Sequence, residues 1–338
     1  MKSVFITIIA ASLVWSSNHL VQAQQRTQHF IFFDRDREHI HDSVFLRTRN
    51  IAGAQLKYTW RELELKRNEY RFESIEEDLG FLTSHGKKLF IQLQDVSFDT
   101  TIVNVPDYLL KEPAYHGGVD PQYVFESDDE AKYKREGWVA RRWDSLVALR
   151  FYELLRALGK KFDGKIAGIN LPETSVEFGD KGPLHPKGFT FENYRDAIKA
   201  RMKVLKESFP TSVTIQYANF MPGEFLPWND HHYLRDIYDY AKQIHVGVGG
   251  PDVLVYKSSQ MNNSYVFIRE CVGIVPTGVA VQWGNYEHIN PRTAKQVTVP
   301  EIYEFGTDYL KLSYMFWCTQ EPYYSKSLIP FLDVDLKN

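Results

Sequence analysis

The chain has 338 residues, with 40 Lys and Arg against 43 Asp and Glu, which gives a formal net charge of -3 at pH 7. Because there is no basic surplus to displace counterions from phosphates, this balance argues against a nucleic-acid partner. Aromatic residues make up 14% of the chain, and such flat side chains fill cores and also stack on sugar rings. A neutral partner therefore fits the composition better than a polyanion.

The first 23 residues are predicted to be a cleavable secretory signal peptide. Lys2 gives a basic start, an apolar stretch runs from Val4 to Trp15, and Val21-Gln22-Ala23 has the small-residue pattern of a cleavage site. The apolar stretch is short for a membrane span, although an uncleaved N-terminal anchor is the alternative. We therefore expect a secreted or periplasmic protein whose mature chain, residues 24–338, contains no membrane span.

The mature chain alternates β-rich runs with amphipathic segments, which is typical of parallel βα units. The predicted strands are 29–33, 53–60, 88–93, a run that begins at 166 and ends before 173, 213–217, 245–248, 278–283 and 311–317. The predicted helices are 40–47, 72–84, 145–162, 191–208, 233–243, 265–272 and 300–310. This order predicts an α/β protein with a (β/α)8 TIM barrel as a single domain over residues 24–338.

Three further features of the sequence bear on the predicted fold. A long irregular loop is predicted at 95–138, and at that length it could wall a substrate cleft. An open doubly wound sheet is the competing fold, but Asp34-Arg35-Asp36-Arg37-Glu38 follows the first strand where that fold has a glycine-rich turn. Cys271 and Cys318 could form one disulfide, although both lie in apolar segments that are typical of buried free thiols.

Carboxylates, amides and tryptophans dominate the predicted C-terminal strand ends, where barrel enzymes have their active sites. Amides and acids bind hydroxyl groups, and indole rings cover the apolar faces of sugars. The apolar run from Ile166 delivers Glu173 to such a strand end. The predicted substrate-binding residues are Trp60, Asp95, Asn170, Asn219, Gln282, Trp283, Trp317 and Glu321.

Short segments in this order resemble the (β/α)8 glycoside hydrolases that include cellulases and β-galactosidases. The matching segments are Tyr58-Thr59-Trp60-Arg61-Glu62-Leu63-Glu64 with Tyr70-Arg71-Phe72, Val105-Pro106-Asp107-Tyr108-Leu109, Asn170-Leu171-Pro172-Glu173 and Tyr314-Met315-Phe316-Trp317. The resemblance implies that Glu173 is the general acid/base and that a glutamate nucleophile follows the seventh strand.

The chain departs from this family pattern at both catalytic positions. Leu171-Pro172 separates Asn170 from Glu173, and Gln282 stands where the nucleophile is expected. Glu287 is therefore the provisional nucleophile or base. Glu177 is the reserve acid, and the open alternatives for the second carboxylate are Asp34, Asp36, Asp95 and Glu321.

The predicted function is hydrolysis of glycosidic bonds in an oligo- or polysaccharide by two carboxylates, a chemistry that needs no metal and no organic cofactor. A non-catalytic carbohydrate-binding barrel is the main alternative, because the amide of Gln282 is a poor nucleophile. A metal-dependent hydrolase is a further alternative, because His39-Ile40-His41 follows the first strand. The chain lacks clean histidine ligands at the fifth and sixth strand tips for such a site.

Overall fold

The computed structural model describes residues 26–124 and 129–334, so the predicted signal peptide lies outside the described residues. Within this part of the chain, eight parallel strands form a closed barrel in which each strand pairs with its neighbours in sequence and the last pairs with the first. The predicted TIM barrel is therefore confirmed. The strands are β1 (Gln28–Asp34), β2 (Ile51–Thr59), β3 (Lys88–Gln94), β4 (Gly168–Leu171), β5 (Val213–Tyr217), β6 (Gly247–Gly250), β7 (Thr277–Val281) and β8 (Tyr314–Cys318).

A helix follows each barrel strand in the described chain, and several of these helices begin at a side-chain cap. Asp144 accepts bonds from two backbone N–H groups of α3, and Thr190 accepts one from α4. No described helix has the length and apolar character needed to cross a bilayer. The helices are α1 (Ser43–Arg47), α2 (Glu73–Ser84), α3 (Ser145–Phe162), α4 (Phe191–Ser208), α5 (Tyr233–Ile244), α6 (Ser264–Cys271), α7 (Val299–Glu304) and α8 (Ile329–Leu332).

The barrel interior is apolar at one level and polar at another. Phe30, Phe90 and Phe316 meet across the interior, with ring centroids 4.8 to 5.8 Å apart. At another level, Gln55 Nε2 donates to Asn170 Oδ1 at 2.9 Å, which links β2 to β4 through the interior. The aromatic cluster therefore closes the barrel as a core, while buried amides lie beneath its C-terminal opening.

Several segments differ from their predicted boundaries, and three examples follow. β6 begins at Gly247 instead of 245, because His245 ends α5 with a left-handed φ of 57°. β8 begins at Tyr314 instead of 311, and Lys311 again has a left-handed φ, of 54°. Trp60 begins a short helix, Trp60–Leu63, instead of ending β2.

The segment 95–138 is not the irregular loop that the sequence predicts. It contributes a three-stranded antiparallel sheet in which Lys134–Ala140 lies between Val96–Ser97 and Val119–Val124. Pro121 favours an irregular loop in the sequence because proline cannot donate to a sheet. Here it lies in an edge strand, where the missing N–H breaks no pairing. The sheet leads directly back to α3 and forms one wall of the barrel opening.

Candidate active site

Glu173 lies two residues after β4 and lines a cavity of about 250 Å³ at the C-terminal end of the barrel. The side chain is half-buried, and its Oε2 accepts a hydrogen bond from Asn219 Nδ2 at 2.5 Å. Burial raises the pKa of Glu173 to about 7, although the bond from Asn219 acts in the opposite direction. A carboxyl group in this range can hold a proton near neutral pH and deliver it to a bound substrate.

The backbone around Glu173 is fixed by hydrogen bonds from several elements. Gln216 on β5 donates to the carbonyl of Pro172 at 2.7 Å, and Arg142 donates to the carbonyl of Glu173 at 3.0 Å. The hydroxyl of Tyr194 on α4 donates to the carbonyl of Thr174 at 2.9 Å. The next helix begins only at Phe191, so Glu173 does not cap a helix start. The segment Leu171-Pro172 therefore delivers the acid in a defined, non-helical turn.

Asp252 is a second half-buried carboxylate, and it follows the end of β6. Burial raises its pKa, while a hydrogen bond from Asn285 Nδ2 at 2.9 Å favours the ionised form. The charge of Asp252 contributes to the raised pKa of Glu173, and it also raises the pKa of Tyr217, which lines the same cavity. Asp252 is thus electrostatically coupled to Glu173 across the barrel opening.

The sequence did not point to Asp252 because it follows an atypical strand. Three of the four residues of β6 are glycine, a composition with weak strand propensity. At Gly249 a side chain cannot fit, because a Cβ there would lie 1.6 Å from the carbonyl oxygen of Gly278 on β7. The available signal was an acid directly after Gly249-Gly250-Pro251, at a strand end of a predicted barrel.

A third acid, on the sheet formed by segment 95–138, influences Glu173 electrostatically. Glu136 lies on the strand Lys134–Ala140 and is half-buried. Burial raises the pKa of Glu136, and its charge contributes to the raised pKa of Glu173. The acids around Glu173 therefore favour its protonated form, whereas Arg142 is the nearby charge that opposes it.

The cavity also contains amide acceptors that are free to bind a ligand. Gln92 and Gln94 on β3 line it, and the buried Oε1 atom of each has no hydrogen-bond partner among the described residues. Buried polar atoms without a partner are costly, so a ligand hydroxyl that donates to them would be favoured. Gln282, directly after β7, lines the same cavity, and Phe98 lies at its rim with 53% of its surface exposed. This lining suits a polyhydroxylated ligand with an apolar face.

Several residues predicted to bind substrate lie close to Glu173 or beneath the cavity. Asn219 bonds directly to Glu173, and Gln282 lines the cavity. Asn170 is fully buried in the barrel interior and bonds to Gln55. Trp283, next to Gln282, is 55% exposed and presents an accessible ring.

Other predicted binding residues belong to the core or to ion pairs. Trp60 and Trp317 are fully buried, so neither ring has an exposed face for a sugar. Trp60 donates to Glu64, and Trp317 donates to His29, whose pKa is lowered to about 3 by burial. Asp95 is buried between two arginines and does not reach the cavity lining.

Glu287 and Glu321, predicted as nucleophile and binding residue, are both exposed and do not line the cavity. Glu287 accepts a hydrogen bond from Gln320 at 2.9 Å, and Glu321 accepts one from the hydroxyl of Ser325 at 2.6 Å. The structure therefore brings Glu173, Asn219 and Gln282 together, whereas Glu287 lies outside the cavity lining.

The residues considered for a metal site or a disulfide lie elsewhere. His39 is exposed near Asp36, and the ring of His41 packs on Phe81. The described ranges contain no group of three or more His, Cys, Asp and Glu side chains that could hold a metal ion. Cys271 and Cys318 are free, buried thiols.

No protein-family model matches the chain, and no curated protein matches it. The fold is similar to the catalytic domain of a beta-amylase from Paenibacillus polymyxa, with a TM-score of 0.55 and 8% identity over 87% of this chain and 92% of that one. It is also similar to xylanase 10B from Thermotoga maritima, with a TM-score of 0.51 and 10% identity over 87% of this chain and 83% of that one. Xylanase 10B from Thermotoga petrophila RKU-1, solved with xylobiose, has a TM-score of 0.50 and 10% identity over 86% of this chain and 81% of that one. These similarities show that the chain shares the (β/α)8 fold of glycoside hydrolases.

Proposed function

We propose that this protein is a glycoside hydrolase in which Glu173 is the general acid and Asp252 is the second carboxylate. The observation that carries the proposal is the pair itself. Two half-buried acids follow β4 and β6 at the C-terminal end of the barrel, and each has a raised pKa. Glycosidases use a carboxylic acid and a carboxylate in such a pair.

The roles follow from the surroundings of each acid. Glu173, with its pKa raised to about 7, holds a proton at neutral pH and donates it to the glycosidic oxygen. Asp252 accepts a hydrogen bond from Asn285 that favours its ionised form, so we assign it the role of the carboxylate. As a carboxylate it either attacks the anomeric carbon or activates a water molecule.

The second carboxylate is assigned to Asp252 instead of Glu287 for two reasons. Glu287 is exposed and bonded to Gln320, whereas Asp252 is half-buried and bonded to Asn285. Of these two acids, Asp252 is the one whose charge contributes to the raised pKa of Glu173. Gln282 after β7 then serves as a hydrogen-bonding residue for the substrate, since an amide cannot act as the nucleophile.

The proposal is tested by assaying release of reducing sugar from a panel of oligo- and polysaccharides. The proteins are the wild type, Glu173→Gln, Asp252→Asn and, as a matched control, Glu287→Gln. Removing either acid should lower kcat by about 10²–10⁴-fold, because each substitution removes a proton-transfer or nucleophilic group. Glu287→Gln should retain the wild-type rate within about twofold, since surface substitutions away from a site have small effects.

Two results would count against these assignments. Equal rates for Glu173→Gln and the wild type would remove Glu173 from the mechanism. Loss of activity in Glu287→Gln with full activity in Asp252→Asn would return the second role to Glu287. NMR of the anomeric configuration of the first product then shows whether the second carboxylate acts as a nucleophile or as a base. Retention of configuration requires a covalent intermediate and therefore a nucleophile.

A non-catalytic carbohydrate-binding barrel is the second candidate, and Gln282 after β7 is the observation that favours it. Under this alternative, the wild type and Glu173→Gln would bind the same oligosaccharide and neither would release product. Calorimetric titration in parallel with the activity assay separates the two functions.

A further inference from the structure

Three aromatic side chains follow one another on the loop between β5 and α5. The rings of Phe220 and Phe225 are 6.2 Å apart and inclined by 16°, and those of Phe225 and Trp228 are 5.7 Å apart and inclined by 11°. Near-parallel rings at these separations are offset from one another. We call Phe220, Phe225 and Trp228 the aromatic ledge. Trp228 is 75% exposed and Phe225 is 45% exposed, so the ledge presents an apolar surface to solvent.

The loop that carries the ledge is fixed by hydrogen bonds. The backbones of Phe225 and Asn229 exchange two hydrogen bonds, at 3.1 and 3.0 Å. The buried carboxylate of Glu224 accepts bonds from the backbone N–H groups of Tyr233 and Leu234 at the start of α5, at 2.8 and 2.9 Å. The exposed rings are therefore held in place before a ligand arrives, which lowers the entropic cost of binding.

The ledge is directly connected to the turn that carries Glu173. The hydroxyl of Thr174 donates to the carbonyl of Phe220 at 2.6 Å, and Asn219, which bonds to Glu173, precedes Phe220. A cavity of about 540 Å³ extends along the residues that follow Glu173 and reaches Phe220 and Phe225. This second cavity thus lies between the turn that follows Glu173 and two of the three residues of the ledge.

The acidic residues that line this second cavity indicate which kind of glycan it can bind. Its described lining includes the acidic residues Glu177 and Asp180 and contains no lysine or arginine, while the carboxylate of Glu224 is already bonded to the backbone of α5. Carboxylates accept hydrogen bonds from hydroxyl groups and repel other carboxylates and sulfates. The lining therefore favours an uncharged glycan over a polyuronate or a sulfated polysaccharide.

We propose that the aromatic ledge is an extended subsite that binds the distal sugar residues of an uncharged glycan chain whose reacting bond lies at Glu173. The proposal rests on the proposed glycosidase function and specifies its substrate as a chain longer than a disaccharide. The exposed ring of Trp228 offers a flat apolar surface on which a pyranose face can stack, and the carboxylates of Glu177 and Asp180 accept hydrogen bonds from hydroxyl groups of the same chain.

The test measures binding in the full chain that carries Glu173→Gln, so that no substrate is consumed. Calorimetry compares xylo-, cello-, manno- and maltohexaose with the corresponding disaccharides and with hexagalacturonate. In this background, Trp228→Ala should weaken binding of the preferred hexasaccharide about tenfold and leave disaccharide affinity unchanged, because the loss of one stacking contact corresponds to that ratio. Trp228→Phe keeps an aromatic ring, so its affinity for the preferred hexasaccharide should fall by no more than about threefold.

Leu149→Ala, which truncates an exposed side chain on α3 outside both cavities, is the matched control and should bind like the parent protein. The ledge is disproved if Trp228→Ala binds the hexasaccharide as tightly as its parent, if no uncharged hexasaccharide binds, or if hexagalacturonate binds as tightly as the neutral chains.

The two proposals fail in different ways. If hexasaccharide binding depends on Trp228 but the protein with native Glu173 cleaves nothing, the glycosidase function fails and the ledge stands. If the protein cleaves long chains equally well with and without Trp228, the ledge fails and the glycosidase function stands.

Discussion

Asp95 and Glu173 follow the ends of the adjacent strands β3 and β4, yet their surroundings differ in charge. Asp95 is buried with Arg142 at 2.7 Å and Arg201 at 3.0 Å. Burial alone would raise the pKa of Asp95, but the two guanidinium groups outweigh it and lower the pKa. Glu173 accepts a hydrogen bond from the neutral amide of Asn219, and burial raises the pKa of Glu173 to about 7. A strand-end position thus does not by itself make a carboxylate catalytic, since the partner charge decides its protonation.

Arg142 contributes to both sites and explains how the contrast arises. Its guanidinium donates to both carboxylate oxygens of Asp95, at 2.7 and 3.2 Å. Toward Glu173 it donates only to the backbone carbonyl. The arginine therefore neutralises one acid while it positions the other. The two regions should respond in opposite ways when a carboxylate is replaced by its amide.

The largest expected effect on folding is that of Asp95→Asn. This change leaves the buried guanidinium groups of Arg142 and Arg201 without their negative partner, and breaking a buried pair in this way costs about 3–5 kcal/mol. Urea unfolding at pH 7 measures the loss. Because the pKa of Asp95 is lowered by folding, its stabilisation is present above the unfolded pKa of about 3.9 and is lost as the pH falls below it.

Glu287→Gln is the control for this experiment, since it removes an exposed carboxylate and should change the free energy of unfolding by no more than about 0.5 kcal/mol. An unfolding free energy for Asp95→Asn within about 1 kcal/mol of the wild type would show that the two arginines do not depend on this charge.

A smaller effect of opposite sign is expected for Glu173→Gln. The folded pKa of about 7 lies above the unfolded pKa, so ionisation of Glu173 destabilises the folded state as the pH rises through this interval. The amide should therefore raise the free energy of unfolding by up to about 3.5 kcal/mol at pH 8 and change it little at pH 4. Parallel urea titrations at the two pH values measure this difference.

Glu321→Gln, a substitution on the surface, is the control and should change the free energy of unfolding by no more than about 0.5 kcal/mol at either pH. If Glu173→Gln destabilises the protein at pH 8 as Asp95→Asn does, then Glu173 has a structural partner and the contrast between the two regions disappears.

The sequence predicts the fold more completely than it predicts the residues of the candidate site. The helices 145–162 and 191–208 were predicted with their observed bounds, because a long amphipathic period coincides with caps at Asp144 and Thr190. Trp60, by contrast, was predicted to bind sugar. Its ring is buried against Phe151 of α3, a contact that the spacing of residues along the chain does not reveal. Partners distant in sequence decide burial, and burial decides which strand-end residues face the cavity.

The same difference between local signals and long-range contacts applies to the candidate catalytic acids. Glu173 was identified because an apolar strand ends just before it, which is a local signal. The difference between Glu173 and Asp95 depends on Arg142, Arg201 and Asn219, which come from three other parts of the chain. The coupling to Asp252 likewise depends on the pairing of β5 with both β4 and β6, which brings the ends of these strands to one edge of the sheet. Residue type and strand position therefore predicted Glu173 and Asp95 as candidate acids but not Asp252, and the charges of residues distant in sequence distinguish Glu173 from Asp95.

The smallest effect concerns Asn219, whose N–H group stabilises the ionised form of Glu173 and so keeps its pKa lower than burial alone would. Asn219→Ala removes this donor, and the pKa of Glu173 should rise by about 0.5–1 pH unit, since a hydrogen bond to a charged group contributes free energy of that order. Carboxyl ¹³C NMR, with the signal assigned by its absence in Glu173→Gln, follows the titration, and Asn193→Ala on the exposed face of α4 is the amide control. An unchanged or lower pKa in Asn219→Ala would mean that the amide does not tune Glu173, and that burial and the neighbouring acids alone distinguish it from Asp95.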